Sequence, residues 1–248
     1  MMRICSSNCF FLITVLLFTT QSCSKQSSIS THLRIEEIDS LVIRGLETYR
    51  ERPTNAIEYL RLAGDEYYAI DSFHKAGNAF LNVAGIFEEH TKHADSALIF
   101  ARMSLENFQA SADSMQIANL NKYYGYLLGT NGSITEGEKY ISQARDYYRR
   151  VGFTEGHAVC DFNSARLAVL DSQFVKADSF LNEAKEVWSP KNDVMRLFPI
   201  YLVEMEIAIA QSDKRKLLQN IVKCDSILLQ HEVPETLQKR YKNLRAKM

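Results

Sequence analysis

The fold of this chain is decided by one stretch, which reads FVKADSFLNEAKEVW from Phe174 to Trp188. Its apolar residues recur at intervals of three and four, so they lie on one stripe of an α-helix. Pro190 then stops the helix, because proline lacks an amide hydrogen and clashes with the preceding turn. The segment before it, residues 155–170, has the same helical spacing, and residues 171–173 form a short turn. Two helices joined by a tight turn are therefore predicted.

This helix pair repeats along the chain with a constant period, and mostly small residues mark three positions in each copy. The three ladders are Ala63, Ser104, Ala144, Ala184 and Cys224; Ala56, Ala97, Gly137, Ala177 and Leu217; and Arg44, Gly85, Gly125, Ala165 and Met205. A period of about 40 residues indicates a solenoid, in which each copy buries its apolar face only against its neighbours. Small side chains at the crossing points let paired helices approach to about 8 to 10 Å.

Applying the period along the chain predicts ten helices and a cap, with no strand. The helices are expected at about 33–51, 55–69, 73–90, 94–110, 114–129, 134–150, 155–171, 174–189, 194–212 and 214–231. Pro234 can open a final helix in which Leu237, Tyr241 and Leu244 form a single apolar stripe. Its other residues are largely polar, as expected of the terminal cap of a solenoid.

The pattern resembles the tetratricopeptide repeat in its longer form, over residues 33–231. The matching residues are Asn163-Ser164-Ala165 followed by Phe174, Ala177, Leu181 and Ala184; Tyr124-Gly125-Tyr126 followed by Gly137, Ile141 and Ala144; and Gly85 with Ala97, Ala101 and Ser104. Arg44, Met205 and Leu217 depart from the pattern in the first and fifth copies. The resemblance implies an all-α, right-handed superhelix of about five helical hairpins with a C-terminal capping helix. It does not fix an activity.

The resemblance also implies a concave groove, lined by the first helix of each hairpin, that holds an extended peptide or a partner's helix. Equivalent positions in the repeat place two ladders on this expected surface: Asn82, Lys122, Phe162 and Leu202, and one turn later Ile86, Tyr126, Arg166 and Glu206. Asparagine and lysine suit a peptide backbone or carboxylate, and aromatic residues and arginine are enriched at binding hot spots. The alternative is that the apolar members belong to the core between repeats and the charged members to a solvated face.

The N-terminus is predicted to be a secretory signal, residues 1–22. Arg3 precedes the apolar run Phe10–Phe18, which is too short for a membrane span of roughly 20 residues but suits a signal peptide. The end of this segment resembles a bacterial lipoprotein signal, with Cys23 as the lipidated residue, although Gln21 is an imperfect match. The resemblance to a lipoprotein signal implies a lipidated tether at 23–32 and a membrane-anchored location in the cell envelope, facing the periplasm. The repeat domain is then expected at 33–248. A soluble secreted protein cleaved nearby is the alternative.

Two cysteines remain once the signal and Cys23 are set aside. Cys160 and Cys224 can form one disulfide in an oxidising compartment. Because Cys224 occupies a small-residue ladder position, where a thiol packs like a small hydrophobe, we expect two free structural cysteines instead.

Three other segments have a possible chemistry and a simpler explanation. Residues 88–93, EEHTKH, have a spacing that can bind zinc, but they fall at a turn without further ligands, so we expect a solvated loop and no metal. The basic stretch 239–247 suits either an anionic membrane surface or a capping helix, and we favour the cap. Four of the Asp-Ser-x triplets, Asp39-Ser40-Leu41, Asp95-Ser96-Ala97, Asp113-Ser114-Met115 and Asp225-Ser226-Ile227, resemble O-glycosylation acceptors of some bacterial envelope proteins, or act as helix N-caps.

Composition and motifs narrow the functional classes. A net charge of -1 gives no overall field to attract phosphate backbones, so no nucleic acid partner is expected. The chain has no HExxH, GxGxxG, P-loop or Gly-x-Ser-x-Gly motif, so neither catalysis nor a cofactor is expected. We expect a lipid-anchored adaptor that binds a protein or peptide in its groove. The alternative is a peptide-responsive sensor that closes as rigid bodies.

Overall fold

The computed structural model describes residues 35–91 and 93–247, and these residues form eleven α-helices and no strand. The helices are α1 (35–48), α2 (Pro53–Ala69), α3 (Phe73–Ile86), α4 (Ala94–Ala110), α5 (Ser114–Thr130), α6 (Ile134–Val151), α7 (Thr154–Leu170), α8 (Phe174–Trp188), α9 (Val194–Ala210), α10 (Lys214–Gln230) and α11 (Glu235–Arg245). The all-α prediction is confirmed. The expected signal, the tether and Cys23 lie outside the described residues.

The helices stack in two layers, and each packs on the next along the chain from α2 to α10. The odd-numbered helices form one layer and the even-numbered helices form the other. Within the odd-numbered layer, α5 packs on α7, α7 on α9, and α9 on α11. In the even-numbered layer, the neighbouring pairs α4 and α6, α6 and α8, and α8 and α10 do not approach each other as closely. The odd-numbered layer is therefore the inner, concave side of an α-helical solenoid.

Small residues lie where paired helices cross, as the ladders predict. All five members of the first ladder are fully buried, and the hydroxyl of Ser104 donates to the carbonyl of Gly77 at 2.7 Å. A Cβ added to Gly137 would lie 2.3 Å from the carbonyl oxygen of Gly125. Since real Cβ atoms do not approach a backbone oxygen so closely, this crossing of α5 and α6 requires glycine.

The third ladder begins at Gly45, so its assignment to Arg44 was wrong. Arg44 is exposed, whereas Gly45 is buried and a Cβ there would lie 2.6 Å from Cγ of Leu60. The step from the third ladder to the second, Gly45 to Ala56 in the first copy, is shorter by a single position than in every later copy. The connection between the two crossing positions is therefore one residue shorter in the first hairpin than in the later ones.

Left-handed residues close the helices at a regular interval. Ala112, Gly132, Gly152, Ser172, Asn192 and Ser212 follow one another at half the repeat period and have φ between 50° and 95°. At each of these sites the next amide reaches back to the last turn of the helix. One example is Ser133, whose amide donates to the carbonyl of Leu128 at 2.9 Å. These bonds satisfy carbonyls that would otherwise lack a partner.

The helix α11 caps the inner layer as predicted. Tyr241 and Leu244 are buried in the apolar cluster that α9 and α10 share with it, and Tyr241 lies edge-on to Phe198 with ring centroids 6.2 Å apart. Arg245 pairs with Asp225 at 2.8 Å. No helix within 35–91 and 93–247 is both long enough and apolar enough to cross a membrane.

The segment after α3 differs from the predicted solvated loop. Phe87–Thr91 continues the helix as a π-helical turn, and the half-buried ring of His90 lies edge-on to Tyr49 with centroids 5.7 Å apart. In the part of the chain that the structure describes, no group of three or more histidine, cysteine or carboxylate side chains could hold a metal ion.

Candidate functional site

The inner surface carries an arginine stacked between aromatic rings. Cζ of Arg166, on α7, lies 4.3 Å from the ring centroid of Tyr126 on α5 and 5.9 Å from that of Phe162. Such cation–π contacts hold the guanidinium plane and leave its edge free to donate hydrogen bonds. Burial is the main reason that the pKa of Arg166 is lowered, although the group remains a cation. Arg166 forms no direct ion pair with a described carboxylate, although Glu206 and Glu88 act on it from farther away and oppose the lowering of its pKa.

This arginine faces a cavity of about 300 Å³ that spans four inner helices. Its wall includes Tyr126 and Thr130 from α5, Arg166 from α7, Glu206 from α9 and Arg240 from α11. Nη2 of Arg240 donates to both carboxylate oxygens of Glu206 at 2.9 Å, a strong paired geometry. The Glu206–Arg240 pair closes the C-terminal end of the cavity and leaves Arg166 as its cation without a paired carboxylate.

Lys122 is a second cation on the inner surface without a described carboxylate partner. Its ammonium nitrogen lies 5.7 Å from the ring centroid of Tyr148. Burial is the main reason that its pKa is lowered; the neighbouring Arg196 lowers it further, whereas Cys160 opposes the shift. Cys160 is a free, buried thiol, as is Cys224, which confirms the prediction of two free cysteines. Burial raises the pKa of Cys160 to about 12, so this thiol is protonated at neutral pH and is a poor nucleophile.

The one tryptophan of the chain lies directly behind this surface. Trp188 is fully buried, and Phe162 meets it edge-on with ring centroids 6.5 Å apart. The indole nitrogen donates to Glu155 at 2.7 Å, which holds the ring in place. A molecule that contacts Phe162 or Arg166 therefore changes the surroundings of a single fluorophore.

The eight residues predicted to line the groove fall into three groups. Tyr126, Phe162 and Arg166 form the stack described above, with Glu206 at its C-terminal side and Lys122 on the preceding turn of α5. Asn82 lies at a separate cavity near the N-terminal end of the inner surface. Leu202 is fully buried and belongs to the core, which was the alternative for the apolar members, whereas Ile86, 5% exposed, lines the same N-terminal cavity as Asn82. Leu202 is buried in the apolar cluster that α9 shares with α10 and α11.

Three further residues of this surface were not predicted to lie there. Arg240 was attributed to the cap alone, yet it reaches Glu206 across 34 positions of sequence. Glu88 was considered only as a metal ligand, and it accepts a 2.8 Å hydrogen bond from the hydroxyl of Tyr123. Tyr123, the donor of that bond, is the third residue. For Glu88 and Tyr123, the position in the repeat was the available signal, because both lie in the inner layer next to the predicted ladders.

No known protein family matches the chain. No curated protein has a significant sequence match to it either.

Proposed function

We propose that this protein is a non-catalytic scaffold of the tetratricopeptide type that binds a polypeptide along its inner surface. The observation that carries the proposal is the Arg166 guanidinium, which is stacked on Tyr126 and Phe162 and has no carboxylate partner among the described residues. Lys122, on the neighbouring inner helix, adds a second cation of the same kind. Two partly buried cations beside aromatic rings suit a ligand that has both acidic and apolar groups.

An acidic side chain or a free C-terminal carboxylate has the right chemistry for this site. A carboxylate is planar and accepts two parallel hydrogen bonds from the edge of a guanidinium. Its binding would give Arg166 a directly paired carboxylate, in addition to the more distant Glu206 and Glu88, in surroundings where low polarity strengthens the attraction. Tyr126 and Phe162 would contact the apolar groups beside the carboxylate, as aromatic residues do at binding hot spots.

The fluorescence of Trp188 gives a direct test of binding. Titration with a library of acetylated acidic peptides should change its emission in the wild-type protein. The change should be lost in a variant with Lys122→Gln and Arg166→Gln, which keeps most of the side-chain length without charge. Arg102→Gln is the control, since Arg102 is exposed on α4 in the outer layer. Equal binding by the wild type and the double variant would overturn the proposal.

A pull-down from solubilised envelope extends this test to the natural partner. The proposal predicts a stoichiometric polypeptide that is lost when Tyr126, Phe162 and Arg166 become alanine. Circular dichroism of the triple variant serves as the folding control. Recovery of the same polypeptide by a folded triple variant would contradict binding at this surface.

We also propose that a lipid on Cys23 holds the scaffold at a membrane of the bacterial cell envelope, on the periplasmic side. The support is the lipoprotein-like sequence that ends at Cys23. Labelling with radioactive fatty acid should mark the wild-type protein and not the Cys23→Ala variant. A Cys23→Ala protein that still carries label would refute lipid attachment at this residue.

A ligand-responsive sensor is the second candidate, favoured by the spacing of the inner helices. α3 and α5 are not packed as closely as α5 and α7, which leaves room for the first two repeats to close on the rest as rigid bodies. Compaction in solution scattering when a peptide binds would favour the sensor. An unchanged scattering curve in the presence of a bound peptide would favour the static scaffold.

A further inference from the structure

A separate cavity opens at the N-terminal end of the inner surface. It has a volume of about 480 Å³ and lies between α1, α3 and α5, with Leu46, Tyr49 and Tyr123 among its walls. α3 and α5 do not approach each other as closely as the following inner helices do, and the cavity occupies the space that this leaves. Its walls are mainly apolar.

Gly85 provides a patch of bare backbone at this cavity. A Cβ added there would meet no heavy atom within 4 Å, whereas a Cβ added at the equivalent Gly125 would lie 2.5 Å from the carbonyl oxygen of Gly137. Helix packing therefore requires glycine at 125 but not at 85. Since glycine weakens a helix relative to alanine, packing does not explain its presence at position 85. The open main chain at this position allows close approach of a ligand.

The charged residues at the cavity are both acidic. Glu88 and Glu89 lie on the π-helical turn, a kind of irregularity that frequently occurs at functional sites. The hydroxyl of Tyr123 donates to Glu88 at 2.8 Å, and Nε2 of His90 lies 3.8 Å from Glu89. Within residues 35–91 and 93–247, no lysine or arginine nitrogen lies within 4 Å of either carboxylate.

We propose that this cavity binds a lysine or arginine side chain of the polypeptide that occupies the groove. The apolar walls would cover the methylene stem, and Glu88 and Glu89 would pair with the charged head. The inference rests on the proposed function, because the cavity opens on the same inner surface as Lys122 and Arg166. The groove is then bipolar, with carboxylates in the second repeat and cations in the third and fourth. A matching ligand carries a basic residue on one side of an acidic one.

Small-molecule probes test the cavity without knowledge of the partner. Nα-acetyl-lysine methylamide is titrated into the full-length ¹⁵N-labelled protein, and the amide signals of Gly85, Glu88 and Glu89 are followed by NMR. The expected result is a saturable shift of these signals. The uncharged Nα-acetyl-norleucine methylamide has nearly the same shape and should cause a much smaller shift, because it cannot pair with the carboxylates.

Two variants and one control separate the carboxylates from the rest of the cavity. Glu88→Gln with Glu89→Gln should weaken binding of the lysine probe about fivefold, as expected for two partly exposed charge pairs. Gly85→Leu should abolish binding by filling the cavity, since the space above Gly85 is open. Glu186→Gln, at an exposed position on α8, should leave the affinity unchanged. Equal shifts with both probes, or unchanged affinity in the glutamine variant, would overturn the proposal.

The same titration separates this inference from the proposed function. The Lys122→Gln, Arg166→Gln variant should bind the lysine probe at least as tightly as the wild type while losing acidic peptides, because the positive charge of Arg166 acts on Glu88. If acidic peptides bind as proposed and the lysine probe does not shift the Gly85 signal, only the inference about the N-terminal cavity fails. If the lysine probe binds and acidic peptides do not, the cavity stands and the proposed site at Arg166 fails.

Discussion

Nε of Arg145 on α6 donates a 2.8 Å hydrogen bond to Oδ1 of Asp161 on α7 and so joins the third repeat to the fourth. Arg145 also donates to the hydroxyl of Ser164, and Nδ1 of His157 lies 2.9 Å from the other oxygen of Asp161. The Asp161 carboxyl group is almost fully buried. Burial raises its pKa, and the effect is larger than the opposite effects of His157 and Arg145. Burial therefore destabilises the charged form of Asp161 by more than His157 and Arg145 stabilise it.

The first prediction follows from that balance. Asp161→Asn keeps an acceptor for Arg145 without a charge, so its effect on the free energy of unfolding should be below about 1 kcal/mol. Asp161→Ala removes the acceptor of Nε of Arg145, which keeps only its longer contact with Glu138 at 3.4 Å and the Ser164 hydroxyl, and should destabilise by about 2 kcal/mol. Urea unfolding of both variants measures the difference. Equal destabilisation would show that the charge itself is required.

The raised pKa of Asp161 also sets a pH dependence. A carboxyl group whose pKa is raised on folding stabilises the fold below its unfolded pKa, and this stabilisation is lost as pH rises through the folded pKa. The wild type should therefore lose stability relative to Asp161→Asn as pH rises from about 4. Thermal melts of the two proteins across this range would show a growing difference. A constant difference would contradict it.

The second prediction concerns the glycines at helix crossings. Gly137→Ala should destabilise the protein by about 2 to 3 kcal/mol, because its Cβ would meet the backbone of Gly125 and the helices would have to separate. Gly85→Ala is the matched control, as the space above Gly85 is open. It should be neutral or stabilise by up to about 1 kcal/mol through helix propensity. Denaturant unfolding of both variants is the measurement, and similar values for the two would contradict the packing argument.

The third prediction concerns the cap. Tyr241 is almost fully buried, and its hydroxyl donates to Asp225 at 2.6 Å. Tyr241→Ala should cost about 3 kcal/mol and release α11 from the apolar cluster, which a rise in ANS fluorescence would report. Tyr241→Phe should cost only about 1 kcal/mol, for one hydrogen bond. Lys242→Ala, at an exposed position, should have no effect. An unchanged ANS signal for Tyr241→Ala would show that α11 stays docked.

The fourth prediction concerns the thiols. Burial raises the pKa of Cys160 and of Cys224 to about 12, so neither should react with Ellman's reagent at pH 8 in the folded protein. Both should react in guanidinium chloride. A chain with serine in place of Cys5, Cys9 and Cys23 isolates the two signals. Rapid reaction of one thiol in the folded state would contradict its burial.

Most of the helices could be predicted because the repeat places the same steric requirement in each copy. The positions of Ala97, Gly137 and Ala177 lie one full repeat apart, and a single well-defined helix pair therefore locates its neighbours. The error at Arg44 arose from assuming one spacing throughout, whereas the first hairpin has one residue fewer between its ladder positions. The π-helical turn at 87–91 was not predicted, because the apolar spacing that predicts a helix to about residue 90 does not distinguish an α-helical from a π-helical last turn.

The candidate site was predictable only in part. Register identified Tyr126, Phe162 and Arg166 as neighbours because equivalent positions of consecutive repeats lie on adjacent inner helices. It did not distinguish the surface from the core, which is why Leu202 was assigned to the groove although it is fully buried between α9, α10 and α11. Contacts between distant parts of the chain, such as Arg240 with Glu206, depend on the curvature of the solenoid. That curvature is a property of the assembled layers.

The left-handed turn residues from Ala112 to Ser212 are evenly spaced. Each single helix with its turn therefore has a constant length, as does each helix pair. Duplication of a whole repeat would lengthen the solenoid by one rung and extend its inner surface by one helix, with every later side chain still facing the same way. Duplication of a single helix with its turn would exchange the layers beyond the insertion and turn Arg166 and its neighbours outward. Arg166 and its neighbours therefore stay on the inner surface only when helices are added or removed in pairs.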